Sequence, residues 1–550
     1  MTIAQRAPSV FEEVAEFIAS CPAPDLLLDF HASEAVQQRA RELLTKLKDG
    51  RLIDEEQREF DQYGFVETLM RLVQARLHAK IAPQPSANTI MTLPLHHPDE
   101  PSSNAARDLA ARYEPRALRT YTPTQAVLAR SAGIFHWTPE GRRLYDFTSG
   151  VLVANLGHNP ASWMRRFSGY MKWPPENATA DFLTALPMTA YNAVTPVETE
   201  ASRRLVTLLQ ERPGGRRLEQ VLWAASGSEA IQKALWAALA RDRGRDVILA
   251  TRHGFHGKKG LAGAVTGCET DHDRDPRVRF LSFPTTECLD VSRRGGPFDP
   301  APYRRELEAL LHAFGRRLGV LITEPYLGGG GSFHPPPAYL QMLQQFCRDH
   351  DLVFILDEVQ SNFGRTGNLF AYETYGLEPD VAILGKGLGN GVPVAAAVGR
   401  ADVFGCLDYG EGSDTWSANP LCCAAVLATL DEFAARDVLG PCRRASAVIE
   451  EGLVRLQELP FVAHVRGERG GMVWGVEMAD HAGRPAADWA NAAVLACYRG
   501  DGGDGIHLLG PLARKVLRIA PPLVISEQEA GAALDLMRRS CSSLLRPLVH

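Results

Sequence analysis

Leu352-Val353-Phe354-Ile355-Leu356-Asp357-Glu358-Val359-Gln360 and, further along, Val381-Ala382-Ile383-Leu384-Gly385-Lys386-Gly387 decide the fold of this chain. Each opens with a short unbroken apolar run, the pattern of a strand buried on both faces, and each closes on a residue able to do chemistry. Such runs in succession predict neighbouring strands of an α/β sheet. Asp357 and Lys386 then stand at C-terminal strand ends, where open sheets of this kind bind ligands. Upstream, residues 218–225 predict a further strand. It leads through the tight turn Ser226-Gly227-Ser228-Glu229-Ala230 into a helix over 231–240, with apolar residues at 231, 234, 235, 238 and 239.

These residue types suit one chemistry in particular. A lysine desolvated beside a sheet has a lowered pKa and becomes a nucleophile toward an aldehyde, forming a Schiff base. A carboxylate facing a pyridine nitrogen keeps it protonated, the condition for the ring to act as an electron sink. Lys386 and Asp357 therefore predict a pyridoxal 5'-phosphate site. A small turn opening a helix offers backbone N–H groups and the positive dipole end to a phosphate, and Gly227 and Ser228 would hold it. On this turn alone, a helix capped by Ser226 is the simpler reading.

Several segments occur in order: Trp223-Ala224-Ala225-Ser226-Gly227-Ser228-Glu229-Ala230, Phe255-His256-Gly257, Leu356-Asp357-Glu358-Val359-Gln360-Ser361-Asn362-Phe363-Gly364-Arg365-Thr366-Gly367, Gly385-Lys386-Gly387-Leu388-Gly389-Asn390-Gly391-Val392-Pro393 and Thr415-Trp416-Ser417-Ala418-Asn419-Pro420-Leu421. Together they resemble the class III (ornithine/4-aminobutyrate type) aminotransferases of the type I pyridoxal-phosphate fold. The resemblance runs from about Tyr121, through Tyr145-Asp146-Phe147-Thr148-Ser149-Gly150 and Asn155-Leu156-Gly157-His158, to Leu517-Arg518-Ile519-Ala520-Pro521-Pro522-Leu523-Val524-Ile525.

The resemblance implies the following roles. Lys386 is the Schiff-base lysine that also shuttles the proton, Asp357 the partner of the pyridinium, and Gln360 the partner of the ring hydroxyl. Phe255 stacks on one face of the ring and Val359 covers the other, with His256 among the cofactor contacts. Ser226, Gly227 and Ser228 form the phosphate turn. Thr415 reaches the phosphate of the neighbouring subunit, so the site is shared across a homodimer. Arg518 clamps the substrate carboxylate with its bidentate fork. Beyond what the resemblance implies, the donor is expected in the pocket around Ser149, Val151 and Tyr326. An amine or amino acid, ω-amino donors included, gives its amino group to a 2-oxo acid such as pyruvate or 2-oxoglutarate.

One departure bears on substrate choice. Where many family members have Glu-Pro, two residues, then Gly-Glu-Gly-Gly, this chain has Glu324-Pro325-Tyr326-Leu327-Gly328-Gly329-Gly330-Gly331. Gly329 replaces the glutamate that pairs with the carboxylate-binding arginine in ornithine and 4-aminobutyrate enzymes. Because the cofactor residues define the electron sink but not the fate of the carbanion, a racemase, aminomutase or decarboxylase on the same fold stays open. A binding or scaffold protein with an idle cofactor site is the reading from another class. Intact Lys386 and Asp357 speak against it.

The chain has 550 residues and is 45% apolar and 23% charged, enough to bury large cores in several domains. Its net charge of −6 is dispersed, which argues against a nucleic-acid surface. Met1-Thr2-Ile3-Ala4-Gln5-Arg6 lacks a signal-peptide core and Leu421 to Leu430 is too short to cross a bilayer, so no membrane partner is expected. The ten cysteines show no zinc spacing and suit a reduced, cytoplasmic protein. His96-His97 with Asp99 and Glu100 suggests a solvated loop rather than a metal site.

Residues 1–85 are expected to be an all-helical accessory region. Ser9 with Glu12 makes a capping-box pattern before Phe11, Val14, Phe17 and Ile18. Val36, Ala40, Leu43, Leu44 and Leu47 form a second helical stripe, and a third, starting at Asp54, has Val66, Leu69, Met70, Val73 and Leu77 on its face. A linker is expected over 86–118. Beyond it, the family implies a small α+β domain built from 119–188 and 441–550 around a large mixed α/β domain at 189–440.

Overall fold

The computed structural model describes Val14 and residues 32–48, 51–53, 55–63, 95–174, 181–271 and 274–545. The chain divides into two compact units, Met1–Leu93 and Pro94–His550. In the first, a helix spans Glu34–Lys48 and residues 55–63 are helical. The expected stripe is divided: Val36 and Leu43 are buried, whereas Leu44 and Leu47 are exposed. Arg39 bonds Glu59 at 2.8 Å across the two helical segments, and Val36 packs with Val14, Ala32 and Tyr63. The Ser9–Glu12 capping pattern and the Val66–Leu77 face lie outside the described residues.

Fourteen strands are described in the second unit: β1 Arg130–Ala132, β2 Phe135–Trp137, β3 Arg143–Asp146, β4 Gln220–Ala224, β5 Val247–Thr251, β6 Val278–Leu281, β7 Leu318–Thr323, β8 Val353–Asp357, β9 Val381–Leu384, β10 Ala395–Gly399, β11 Val462–Gly467, β12 Trp474–Met478, β13 Gly505–His507 and β14 Val516–Ile519. Seven of them form one sheet in the order β4-β10-β9-β8-β7-β5-β6, in which only β10 runs against its neighbours. The two runs read from sequence are adjacent and parallel, with Leu356 opposite Ala382 and Asp357 opposite Ile383.

Period-two alternation explains why both runs are apolar throughout. Val353, Ile355, Val381 and Ile383 face one core, formed with helix Gly227–Arg241. Phe354, Leu356, Ala382 and Leu384 face the other, where helix Pro420–Ala435, including Cys422 and Cys423, packs. With both faces covered, polar side chains are left for the strand ends.

The two smaller sheets join distant parts of the chain. β13 pairs in parallel with β3, closing the order β1-β2-β3-β13, and β11-β12-β14 is antiparallel. This places residues near position 145 beside residues near 506, and puts Arg518 opposite Gly475.

The expected linker over 86–118 is corrected by its described part. Helix Pro101–Tyr113 occupies the middle, and His97 and Glu100, read as loop residues in solvent, are buried. Glu100 accepts hydrogen bonds from Arg107 at 2.7 Å, Arg142 at 2.8 Å and Tyr498 at 3.0 Å, while His97 Nε2 meets the Thr124 carbonyl at 2.7 Å. His96, against Asp108, and Asp99 stay exposed as expected. The partners, up to nearly four hundred residues away, turn a Pro- and Ser-rich segment into a packed one. Arg107→Met removes one cation from this buried carboxylate and should cost roughly 3 kcal/mol; an unchanged thermal midpoint would show the pair to be dispensable.

Candidate active site

Lys386 follows β9 in a short 3-10 turn, Lys386–Leu388, with a left-handed φ of 47°. Its side chain is half-buried. Desolvation first, then the Arg518 charge, push its pKa down to about 7, against the opposing pull of Asp357 and Glu324. The turn is tied to the loop after β8, since Asn362 Nδ2 donates to the Gly385 carbonyl at 3.1 Å. Val359, on that loop, lies so near Gly227 and Gly385 that a Cβ on either would meet its methyls at 3.2 and 3.3 Å. The turn at Ser226–Ser228, the Asp357 loop and the lysine turn thus meet at one edge of the sheet.

Asp357 ends β8 with both oxygens engaged. Oδ1 accepts the Val359 N–H at 3.0 Å, and Oδ2 lies 2.7 Å from His256 Nδ1. His256 is buried against this carboxylate and orients it rather than standing free in the pocket. Phe255, next to it, is 41% exposed and leaves a face open. Its N–H donates to Glu324 Oε2 at 2.8 Å, and Gly328 N–H to Oε1 at 3.2 Å. Burial raises the Glu324 pKa to about 7, Asp357 adding to the shift and His256 opposing it.

Ser226 is the N-cap of helix Gly227–Arg241, in a reciprocal capping box with Glu229. Its N–H donates to Glu229 and its hydroxyl accepts the Glu229 N–H, which leaves the hydroxyl proton, with Gly227 and Ser228 at the helix start, to meet a phosphate. Ser228 Oγ crowds Gly257 so closely that a Cβ there would lie 2.3 Å from it. A glycine cradle, a free helix start and a desolvated amine fit an aldehyde that carries a phosphate.

The residues expected around the substrate divide. Arg518 is buried, its NH1 3.4 Å from Gln360 Oε1 and its Nε without a partner among the described residues. Burial lowers its pKa, which Tyr326 and Glu324 oppose. Gln360 thus faces Arg518, a contact not expected from sequence. Val151 is 39% exposed. Ser149 and Tyr326 are instead committed to backbone: Ser149 Oγ donates to Ala520 O at 2.7 Å and Tyr326 OH to Gln360 O at 3.1 Å. Tyr326 also stacks on His334, ring centres 4.4 Å apart. Thr415 is exposed, in a segment held by Ser417 Oγ on the Trp223 carbonyl at 3.0 Å. At Gly329, a Cβ would stand 3.0 Å from the Phe255 Cβ, so the aromatic side chain packs where a larger residue would project.

Two supports had no role assigned from sequence, and a third, the turn that carries Ser149 and Val151, was not expected as a turn. Glu358 is fully buried and accepts the N–H groups of Ala371 and Tyr372, each at 2.7 Å, while burial raises its pKa to about 8. Arg365 is also fully buried and donates to Asn155 Oδ1 at 2.9 Å and Pro521 O at 2.6 Å. Ser149, Gly150, Val151 and Leu152 all have positive φ, from 48° to 67°, and make a left-handed turn closed by the Leu152 N–H on Thr148 O at 2.9 Å. Each such non-glycine residue costs about 1–2 kcal/mol. The turn's only sequence signal is Gly150.

The class III aminotransferase family matches residues 117–540, and the chain belongs to it. It is 30% identical over 442 residues to the acetylornithine aminotransferase of Methanothermobacter thermautotrophicus, covering 78% of this chain and 96% of that one. Among solved structures it is similar to an (S)-enantioselective omega-transaminase from Thermomicrobium roseum, with a TM-score of 0.67, 26% identity, and coverage of 81% and 99% of the two chains. A pyridoxal-phosphate-bound amine transaminase from an uncultivated Pseudomonas species matches with a TM-score of 0.64 and 25% identity over 78% of this chain and 96% of that one. The expected fold is borne out: a type I pyridoxal-phosphate transferase fold with helices in the N-terminal region. The chain is a pyridoxal-phosphate-dependent transaminase.

The lowered lysine pKa has a measurable consequence. Only the neutral amine attacks an aldehyde, so capture of added pyridoxal phosphate by the apoenzyme should quicken as pH rises through about 7 and level off above it. A rise centred near the ordinary lysine value, about 10, would show that burial does not act on Lys386.

Proposed function

We propose that this transaminase accepts an amine or amino acid at one half-reaction and a carboxylate-bearing 2-oxo acid, such as pyruvate or 2-oxoglutarate, at the other, through Lys386. The observation that carries this reading is Arg518, a buried guanidinium facing an amide at 3.4 Å rather than a carboxylate. A substrate carboxylate would supply the missing anion in bidentate geometry. With Gly329 in place of a glutamate, nothing at that position neutralises Arg518 when a donor without a carboxylate enters. The acetylornithine and omega-transaminase relatives make ω-amino donors the first to screen.

Bound pyridoxal phosphate supplies the electron sink through which an amino group passes between carbon skeletons. In this reading the Lys386 amine would hold the cofactor through its aldehyde and, once released by the donor, would serve as the base that moves the substrate proton. Asp357, oriented by His256 and the Val359 N–H, keeps the ring nitrogen protonated. Gly227 and Ser228 would hold the phosphate, Phe255 and Val359 would cover the ring faces, and Gln360, already against Arg518, would meet the ring hydroxyl.

Thr415 completes the site of a second copy in a homodimer. Its exposure supports this, as does an open hollow of about 840 Å³ beside the phosphate turn, lined by Gln232, Trp236, Phe255, Gly257 and Thr266. Residues 119–188 with 441–550 form the small domain around 189–440, and 1–85 an accessory module; the β3–β13 pairing supports the former. Nine free cysteines among the described residues suit a reducing cytoplasm, and no described helix is long and apolar enough to cross a membrane.

Two substitutions test the reading. Asp357→Asn should lower turnover on the order of a hundredfold or more while cofactor still binds; near-normal turnover would mean that another group faces the ring nitrogen. Arg518→Ala should weaken the acceptor half-reaction by roughly 2–4 kcal/mol, with a smaller effect on a donor lacking a carboxylate. Single-turnover measurement of each half separately decides it. Equal losses in both, or none with the acceptor, would assign carboxylate recognition elsewhere.

A further inference from the structure

Outside the lysine site, three side chains with metal-ligating atoms converge on the small sheet: His136 on β2, Asp146 at the end of β3, and His158. Their ligand atoms all lie within 4.8 Å of one another. His158 Nε2 is 2.7 Å and His136 Nε2 3.5 Å from the same oxygen, Asp146 Oδ2. The group is not a solvated acidic patch, because Asp146 is 1% and His136 3% exposed.

His136 Nε2 is buried and has no hydrogen-bond partner among the described residues. Its other nitrogen is held by Ser131 Oγ at 2.7 Å. Metal-bound histidines are commonly held in this way, one ring nitrogen donating to an oxygen and the other offering its lone pair. His507, edge-on to His136 with ring centres 5.5 Å apart, has a second buried nitrogen, Nδ1, with no partner.

We propose that His136, Asp146 and His158 bind a Zn²⁺ ion whose role is to hold the substrate-pocket turn. Two imidazoles and one carboxylate suit zinc better than magnesium or calcium, and water takes the fourth position. Metal–ligand bonds of about 2.0–2.1 Å set ligand atoms about 3.4 Å apart in a tetrahedral site. The 3.5 Å contact already meets this, and the 2.7 Å contact opens as the His158 proton moves to its other ring nitrogen.

The consequence lies on the opposite carboxylate oxygen. Asp146 Oδ1 accepts the Thr148 N–H and hydroxyl, each at 2.7 Å, and the Ser149 N–H at 3.1 Å. These bonds anchor the start of the left-handed turn that presents Val151. An ion on Oδ2 would fix the carboxylate and, through it, the turn.

The test uses the full-length holoenzyme, treated with chelator, desalted and titrated with Zn²⁺ alone, with bound metal and thermal midpoint measured. Saturable uptake of about one ion per chain is expected, with a raised midpoint that chelator reverses. Ni²⁺ and Co²⁺ should also bind, and Mg²⁺ should not. His136→Asn keeps a polar atom for Ser131, and His158→Gln keeps a donor for Asp146. Each should weaken zinc uptake by roughly ten- to a hundredfold or more. Absence of saturable uptake by the unsubstituted protein overturns the proposal whether or not the variants fold. So does uptake unchanged in both folded variants, or uptake lost on alkylation of exposed Cys406.

Discussion

The structure depends on placing a lysine and a carboxylate at one dehydrated edge of a sheet whose two central strands, β8 and β9, are apolar on both faces. Parallel pairing of β8 and β9 fixes the positions of Asp357 and Lys386 to within the register of a few backbone hydrogen bonds. Burial on both faces gives that register no freedom to slip, because a shift of one residue would exchange the side chains between two filled cores. The same dehydration that lowers the lysine pKa strengthens each charge that faces it.

The surroundings are correspondingly rich in buried cations. Arg365 has no carboxylate partner among its hydrogen bonds and uses carbonyl and amide oxygens instead; desolvation lowers its pKa to about 10. Arg518 is similarly placed. Guanidinium groups kept this way carry an unspent attraction for anions, and the cofactor phosphate and substrate carboxylate are the anions such an enzyme handles. Glu324 and Glu358 are carboxyls closed over backbone N–H groups, and they order the loops around the site.

Asp146 connects this edge to the small sheet. One of its oxygens organises the left-handed turn Ser149–Leu152, and the other faces two imidazoles. A conformation costing a few kcal/mol persists where neighbouring groups over-determine it. Three hydrogen bonds to Oδ1, the Ser149–Ala520 bond and the packing of Leu152 against Tyr326 do so here.

By itself, the sequence determined the central strands, the capped helix after β4 and the ends at which Lys386 and Asp357 emerge. Unbroken apolar runs and a local capping box are encoded within a few residues and need no distant partner. Ordered motifs likewise carried the family and its cofactor. Only the tertiary structure decided which partners the site residues take. His256 and Asp357 are 101 residues apart, Gln360 and Arg518 158, and Ser149 and Ala520 371, and no periodicity in the intervening chain records those meetings. The same limit hid the burial of Glu100 in a segment composed like a linker, and the convergence of His136 with Asp146 and His158, because side-chain desolvation and hydrogen bonding arise only when the sheets close and bring these segments together.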